Sequence, residues 1–162
     1  MLTREDAEFL IGSADDPEYR ALLTCMFFTG ARVSEVMALT WNSIDFARLR
    51  IRFRLAIRNV DQWRSMHPRV AEVLSRLPRN PERVFRWRHT KIGPEKPLRR
   101  LRAKTGIPFT YKMARYSFAS WLADDGTSIK DIMDTCGWAS ANGPLGLLAY
   151  WDEWNRRIVE TL

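Results

Sequence analysis

Apolar residues recur at helical spacing along most of the chain, and in one stretch they alternate strictly with arginine. Thr3 with Asp6 three positions on forms a capping-box pattern, and Ala7, Phe9, Leu10 and Ile11 supply the apolar side of a short first helix. Asp15-Asp16-Pro17 interrupts it and sets proline near the first position of a second helix. Leu22, Leu23, Cys25, Met26, Phe27 and Phe28 make that second helix apolar nearly all round, which predicts the buried centre of the fold, with Gly30 as its stop. Ser34 is the candidate cap of a third helix that turns Val36, Met37 and Leu39 inward.

The period then falls to two. Leu49, Ile51, Phe53 and Leu55 alternate with Arg48, Arg50, Arg52 and Arg54, the pattern of a half-buried strand. A return strand is expected over residues 56–63, with the turn around Arg58 and Asn59. His67-Pro68 opens a helix carrying Val70, Val73, Leu74 and Leu77, closed by Pro78. A basic-aromatic segment at 83–89 and a short basic helix over 97–104 ending at Gly106 follow. The next helix opens at Lys112, continues through Leu122 and stops at Gly126. Ser128 with Asp131 caps another, placing Ile129, Ile132, Met133 and Cys136 inward before Gly137. Beyond a loop at 139–144, Leu147, Trp151, Trp154, Ile158 and Leu162 form an amphipathic stripe. The expected fold is mainly α (α+β): helices with one small antiparallel β-sheet.

Composition narrows the partners. The 162 residues, 46% hydrophobic, suit one domain over 1–162. The formal charge is +7, carried mostly by arginine, whose planar fork matches phosphate, so nucleic acid is the favoured partner over a scattered surface charge. Cys25 and Cys136 lie far apart in apolar surroundings, so both are expected in the core of a cytosolic protein, and with His67 and His89 they make no zinc spacing. No apolar run reaches membrane-spanning length, and Met1 to Asp6 lacks a signal pattern.

The candidate chemistry is cationic. Lys112 and Arg115, three apart at a helix start, direct two positive heads to one face and call for an anion. Arg32, between a buried helix and the next helix start, either meets a carboxylate such as Glu35 or holds a ligand anion. The arginine row of the strand is explained by a DNA backbone or by acidic neighbours across that face, with a solvated edge as the plain alternative. Residues 119–137 also fit a helix-turn-helix, although Lys130, Asp131 and Asp134 would give it an acidic recognition surface.

Taken in order, Gly30-Ala31-Arg32 with Ser34-Glu35 and Leu39, a basic hairpin, Lys112-x-x-Arg115 with Phe118, Gly137-Trp138 and Tyr150 resemble the catalytic domain of the tyrosine recombinases, the phage integrase family. The resemblance runs the length of the chain and implies a site-specific DNA recombinase that cuts and rejoins double-stranded DNA through a 3′-phosphotyrosyl intermediate, without metal, ATP or other cofactor. It implies Arg32 and Arg115 as phosphate clamps, Trp138 as a hydrogen-bond donor, Tyr150 as nucleophile, and Arg48, Arg50, Arg52, Arg54 and Arg58 as DNA contacts. A homotetramer on DNA and a monomer alone are expected, acting at the nucleoid. Two departures stand out. Lys112 occupies a place usually held by His, and the hairpin lysine that would protonate the leaving oxygen has no counterpart before Lys91, leaving Arg54 and Arg58 as candidates for its place. The loop from Trp138 to Tyr150 is also longer than usual. A degenerate relative that binds DNA without cutting is therefore the alternative, and the amino-terminal core-binding domain of such recombinases is expected to be absent from this chain.

Overall fold

The structure, a computed structural model, describes residues 1–55, 58–87 and 93–138. Its centre is α2 (Pro17–Thr29), against which α1 (Arg4–Ser13), α3 (Val33–Met37), α4 (Pro68–Ser75) and α6 (Tyr111–Asp124) pack. Asp16 caps α2 by accepting from the Glu18 and Tyr19 amides, Pro17 takes the first turn, and Gly30 closes the helix in the left-handed region. Leu22, Leu23, Cys25, Met26 and Phe27 are fully buried, as an all-round apolar helix requires. Thr3 and Asp6 cap each other reciprocally at α1. Phe9, expected among its inward residues, is instead 54% exposed, since Ala7, Leu10 and Ile11 already fill that stripe. Two further helices, α5 (Glu95–Thr105) and α7 (Ile129–Cys136), end in left-handed glycines, Gly106 and Gly137.

The sheet has three antiparallel strands in the order β1 (Ile44–Asp45), β2 (Arg50–Leu55) and β3 (Val60–Ser65). Strand β2 alternates as expected, with Ile51, Phe53 and Leu55 buried. Its apolar row begins later than the pattern suggested. Leu49 is 40% exposed with φ 48°, at the end of a turn in which Asp45 accepts from the Arg48 amide at 2.9 Å. The short β1 has no sequence periodicity of its own, and β3 lies further along the chain than the expected 56–63, because Arg58 and Asn59 (φ 51°) form the turn. Residues 56–57 and the apolar stripe from Leu147 to Leu162 lie outside the described residues. Among those described, no helix is long and apolar enough to cross a membrane.

Helix α6 starts at Thr110, whose side chain accepts from the Met113 amide, and buries Ala114, Arg115, Ser117, Ala119, Ser120 and Ala123. Small residues let it approach α2 closely, and Trp121 stacks on Phe27 at 6.0 Å between ring centroids. That approach carries Arg115 to the end of α2.

Candidate active site

Three arginines from α6, β3 and the start of α3 meet around the C-terminal end of α2. Arg115 Nη1 donates to Gly30 O at 2.8 Å, and Arg64 Nη1 donates to Thr29 O at 2.9 Å. Carbonyls at a helix C-terminus carry partial negative charge and favour cations. Gly30 makes the geometry possible: its φ is +63°, and a Cβ there would stand 2.4 Å from Phe118 Cδ1. The Arg115 and Arg64 residues are only 5% and 7% exposed, and in each the Nη2 atom is buried with no hydrogen-bond partner among the described residues. An unpaired buried polar group costs about 1–3 kcal/mol, more when charged, so the arrangement favours an incoming anion.

Arg32 caps α3 in place of the expected Ser34. Its backbone amide donates to Glu35 Oε2 and its Nη1 to Glu35 Oε1, both at 2.8 Å. Of the two roles open to Arg32, the carboxylate pairing is therefore made, yet its side chain stays 31% exposed while that of Glu35 is only 3% exposed. Among the described residues Glu35 is the single carboxylate in this group, with both oxygens engaged by Arg32. Burial, followed by repulsion from Arg32, pushes the Arg115 guanidinium down to about 10, and burial likewise holds Arg64 below its ordinary value. Arg115 therefore remains protonated at neutral pH. Cys136 lies beside them, and burial pushes its thiol up, consistent with an inert core residue.

Trp138 follows Gly137 at the end of α7 and is 5% exposed. Its ring lies 5.1 Å from Arg115 Cζ and 5.8 Å from the Tyr116 ring, so the structure does bring Trp138 to Arg115. Lys112 is placed differently. It is exposed, with Nζ 5.4 Å from the Tyr116 ring centre, so the two cations of the α6 motif occupy different surroundings. The hairpin separates its two candidate arginines: Arg58 Nη2 donates to Trp138 O at 2.9 Å, whereas Arg54 reaches outward to Asp61 at 3.2 Å and Asn59 at 2.6 Å.

The outer arginine row meets acidic neighbours, one of the explanations open from sequence. Arg48 and Arg50 pair with Asp45 at 3.4 and 3.2 Å, and Arg50 and Arg52 lie 4.7 and 5.3 Å from the Trp63 ring centre. On α7, Lys130, Asp131 and Asp134 are exposed, but the helix is fastened to the hairpin where Gln62 Nε2 donates to Asp134 O at 2.7 Å. A mostly acidic face docked in this way does not favour the helix-turn-helix alternative.

Two of the tyrosines are engaged in the core. Tyr111 Oη donates to Pro94 O at 2.7 Å and lies 3.2 Å from Tyr19 Oη, and burial pushes Tyr19 up to about 12 and Tyr111 well above the phenol range. Tyr116 is half-buried between Lys112 and Trp138. Tyr150 lies outside the described residues. Arg64 is the residue that sequence reasoning missed. Its signal was the register, since Arg64 is the partner of inward-facing Ile51.

Comparison with known proteins matches residues 1–143 to the phage integrase family. A protein of Sinorhizobium fredii (strain NBRC 101917 / NGR234) named "Putative integrase/recombinase y4qK" is 25% identical over 142 residues, covering 82% of this chain and 46% of that protein. The crystal structure of XerA recombinase superposes with a TM-score of 0.75 at 24% identity, covering 87% of this chain and 57% of that one. The catalytic domain of bacteriophage HP1 integrase gives a TM-score of 0.71 at 19% identity, covering 88% and 82%. The chain thus spans about half the length of the first two.

Proposed function

This chain belongs to the phage integrase family, and from that premise we propose that it is the catalytic domain of a tyrosine recombinase, breaking and rejoining double-stranded DNA. The observation that carries the reading is Arg115, buried at the α2 terminus with Nη2 unpartnered among the described residues and with Arg32 and Trp138 beside it. In the proposed reaction the Tyr150 phenol gives up its proton as its oxygen attacks a DNA phosphorus in line, forming a 3′-phosphotyrosyl bond as the P–O5′ bond breaks. The proton lost by the phenol is matched by the one the leaving oxygen gains. The 5′-oxygen leaves with a proton, and the reverse attack by a 5′-hydroxyl reseals the strand. Arg115 and Arg32 neutralise the charge that builds on the non-bridging oxygens, and the Trp138 indole, which can only donate, serves the same oxygens. No metal, nucleotide or other cofactor enters the scheme.

Lys112 is the candidate for proton transfer, because Arg58, whose guanidinium stays protonated, is a poor proton donor. The outer arginines and Arg58 hold the DNA backbone, and the active assembly is a tetramer formed on DNA from monomers.

Trapping on a pool of nicked duplexes of random sequence tests the scheme on a denaturing gel. Wild type gives a covalent protein–DNA band, Tyr150→Phe gives none, and Tyr116→Phe keeps it. Arg115→Ala lowers the rate of band formation by about 10²–10³-fold, the usual effect of losing one oxyanion donor. Lys112→Ala falls by about 10²-fold if it moves the proton. DNA retardation at low salt with no covalent band from wild type would favour the second reading, a relative that binds without cutting. The absence of a hairpin lysine motivates that reading.

A further inference from the structure

We infer that Arg64 is a third anion-binding guanidinium of this site, acting beside Arg115 on the same phosphoryl oxygens. The inference rests on the phosphoryl-transfer reading above, and its residue lies outside the set that the motifs single out. Arg64 sits on β3 opposite Ile51, on the face where the sheet otherwise buries Ile51, Phe53 and Leu55. An apolar side chain would fill that position at less cost than a buried cation.

The two deeply buried arginines are arranged alike. Successive carbonyls of one helix end, Thr29 O and Gly30 O, each take one Nη1, and each Nη2 is left without a partner among the described residues. Arg64 Nε is held by Gln62 Oε1 at 3.0 Å, which fixes the plane of its guanidinium. The same corner holds Trp138, because a Cβ at the preceding residue, Gly137, would stand 3.2 Å from Arg64 Nη2.

The charges do not balance internally. Among the described residues, the one carboxylate facing Arg32, Arg64 and Arg115 is Glu35, whose oxygens are both engaged by Arg32, so there three positive charges meet one negative. A phosphodiester in a displacement by a phenolate passes through a phosphorane bearing two negative charges, and it has two non-bridging oxygens for two free Nη2 groups. A strut serving only the end of α2 would need neither the charge nor the second nitrogen.

Inorganic phosphate, titrated into the purified full chain while its thermal unfolding is followed, tests the assignment without a cognate DNA site. Wild type should show a saturable rise in melting temperature. Arg64→Met should weaken the phosphate response at least tenfold while melting no lower than wild type in its absence, because an uncompensated buried cation has been removed. Arg64→Lys should keep part of the response, and Arg76→Met, on an exposed side chain, should leave it unchanged. A wild-type response in Arg64→Met, or a marked loss of phosphate-free stability in both Arg64 variants, would overturn the assignment and leave Arg64 a structural strut.

The two readings fail separately. A covalent DNA band from wild type with an unaltered phosphate response in Arg64→Met removes Arg64 and leaves the recombinase. A response lost in Arg64→Met, with no covalent band from wild type, keeps the anion site and removes the recombinase.

Discussion

At the scale of single residues, the site depends on how few acids accompany its cations among the described residues. Glu35 secures Arg32 through the backbone amide and the guanidinium at once, and it is buried while Arg32 remains partly open. Glu35→Gln keeps one amide oxygen to accept but removes the negative charge, so Arg32, like Arg64 and Arg115, is left without a carboxylate partner among the described residues. We expect the variant to lose about 1–3 kcal/mol in urea unfolding, below the full cost of breaking a wholly buried pair because Arg32 is partly solvated. Added phosphate should recover a larger share of stability in this variant than in wild type, and an equal gain in both would show that Glu35 is not the counter-charge of the anion site. Arg32, Arg115 and Trp138 were legible from sequence because each sits at a helix start, helix turn or helix stop that a few neighbouring residues define. Arg64 was not, because its direction depends on pairing across a hairpin. Starting the return strand at 56 rather than at Val60 hides the register that sets it opposite Ile51.

The elements show the same division between local and non-local information. Several helix ends set by short-range devices were read correctly, namely Thr3 with Asp6, Pro17 at the start of α2, Ser128 with Asp131, and glycines 30, 106 and 137, whereas the start of α3 at Arg32 with Glu35 was misplaced at Ser34. The first strand, two residues long, and the offset of β3 depend on contacts between segments and left no period to detect. Gly30 links the two kinds of information, since it ends α2 locally and also admits Phe118 from α6 to the space a Cβ would fill. Gly30→Ala should therefore combine left-handed backbone strain of about 1 kcal/mol with overpacking of about 1–3 kcal/mol. Gly106→Ala provides the comparison, because its φ is +71° but nothing lies within 4 Å of the added Cβ, leaving the backbone cost alone. The difference between the two variants in urea unfolding measures the close approach of α6 to α2, and equal losses would mean that Phe118 moves aside freely. A larger loss at Gly30 should bring weaker phosphate binding, because moving α6 withdraws Arg115 from the Gly30 carbonyl.

For the molecule as a whole, a +7 charge says that a polyanion is favoured but not which arginines meet it. The outer row of β2 is occupied in the free protein: Arg48 and Arg50 share Asp45, Arg54 takes Asp61, and Arg52 lies over Trp63. If this face holds the DNA backbone, phosphates must displace Asp45, and the acid acts as a built-in competitor. Its carboxyl is held below the usual range first by the Arg48 amide, with burial opposing and the Arg50 and Arg48 side chains adding to the lowering, so it stays charged in mild acid. Mild acidification will not release the arginines, but Asp45→Asn will. The variant should bind duplex DNA more tightly at low salt, and plots of log affinity against log salt concentration should steepen by about one to two units as Arg48 and Arg50 become free to take phosphates. Arg52→Ala should instead lower the slope by about one unit at every duplex sequence tried. Fluorescence anisotropy with random-sequence duplex between 50 and 200 mM salt reads both effects. Unchanged affinity and slope in Asp45→Asn and Arg52→Ala together would remove the sheet from the DNA interface and leave its arginine row as a surface neutralised by its own acids.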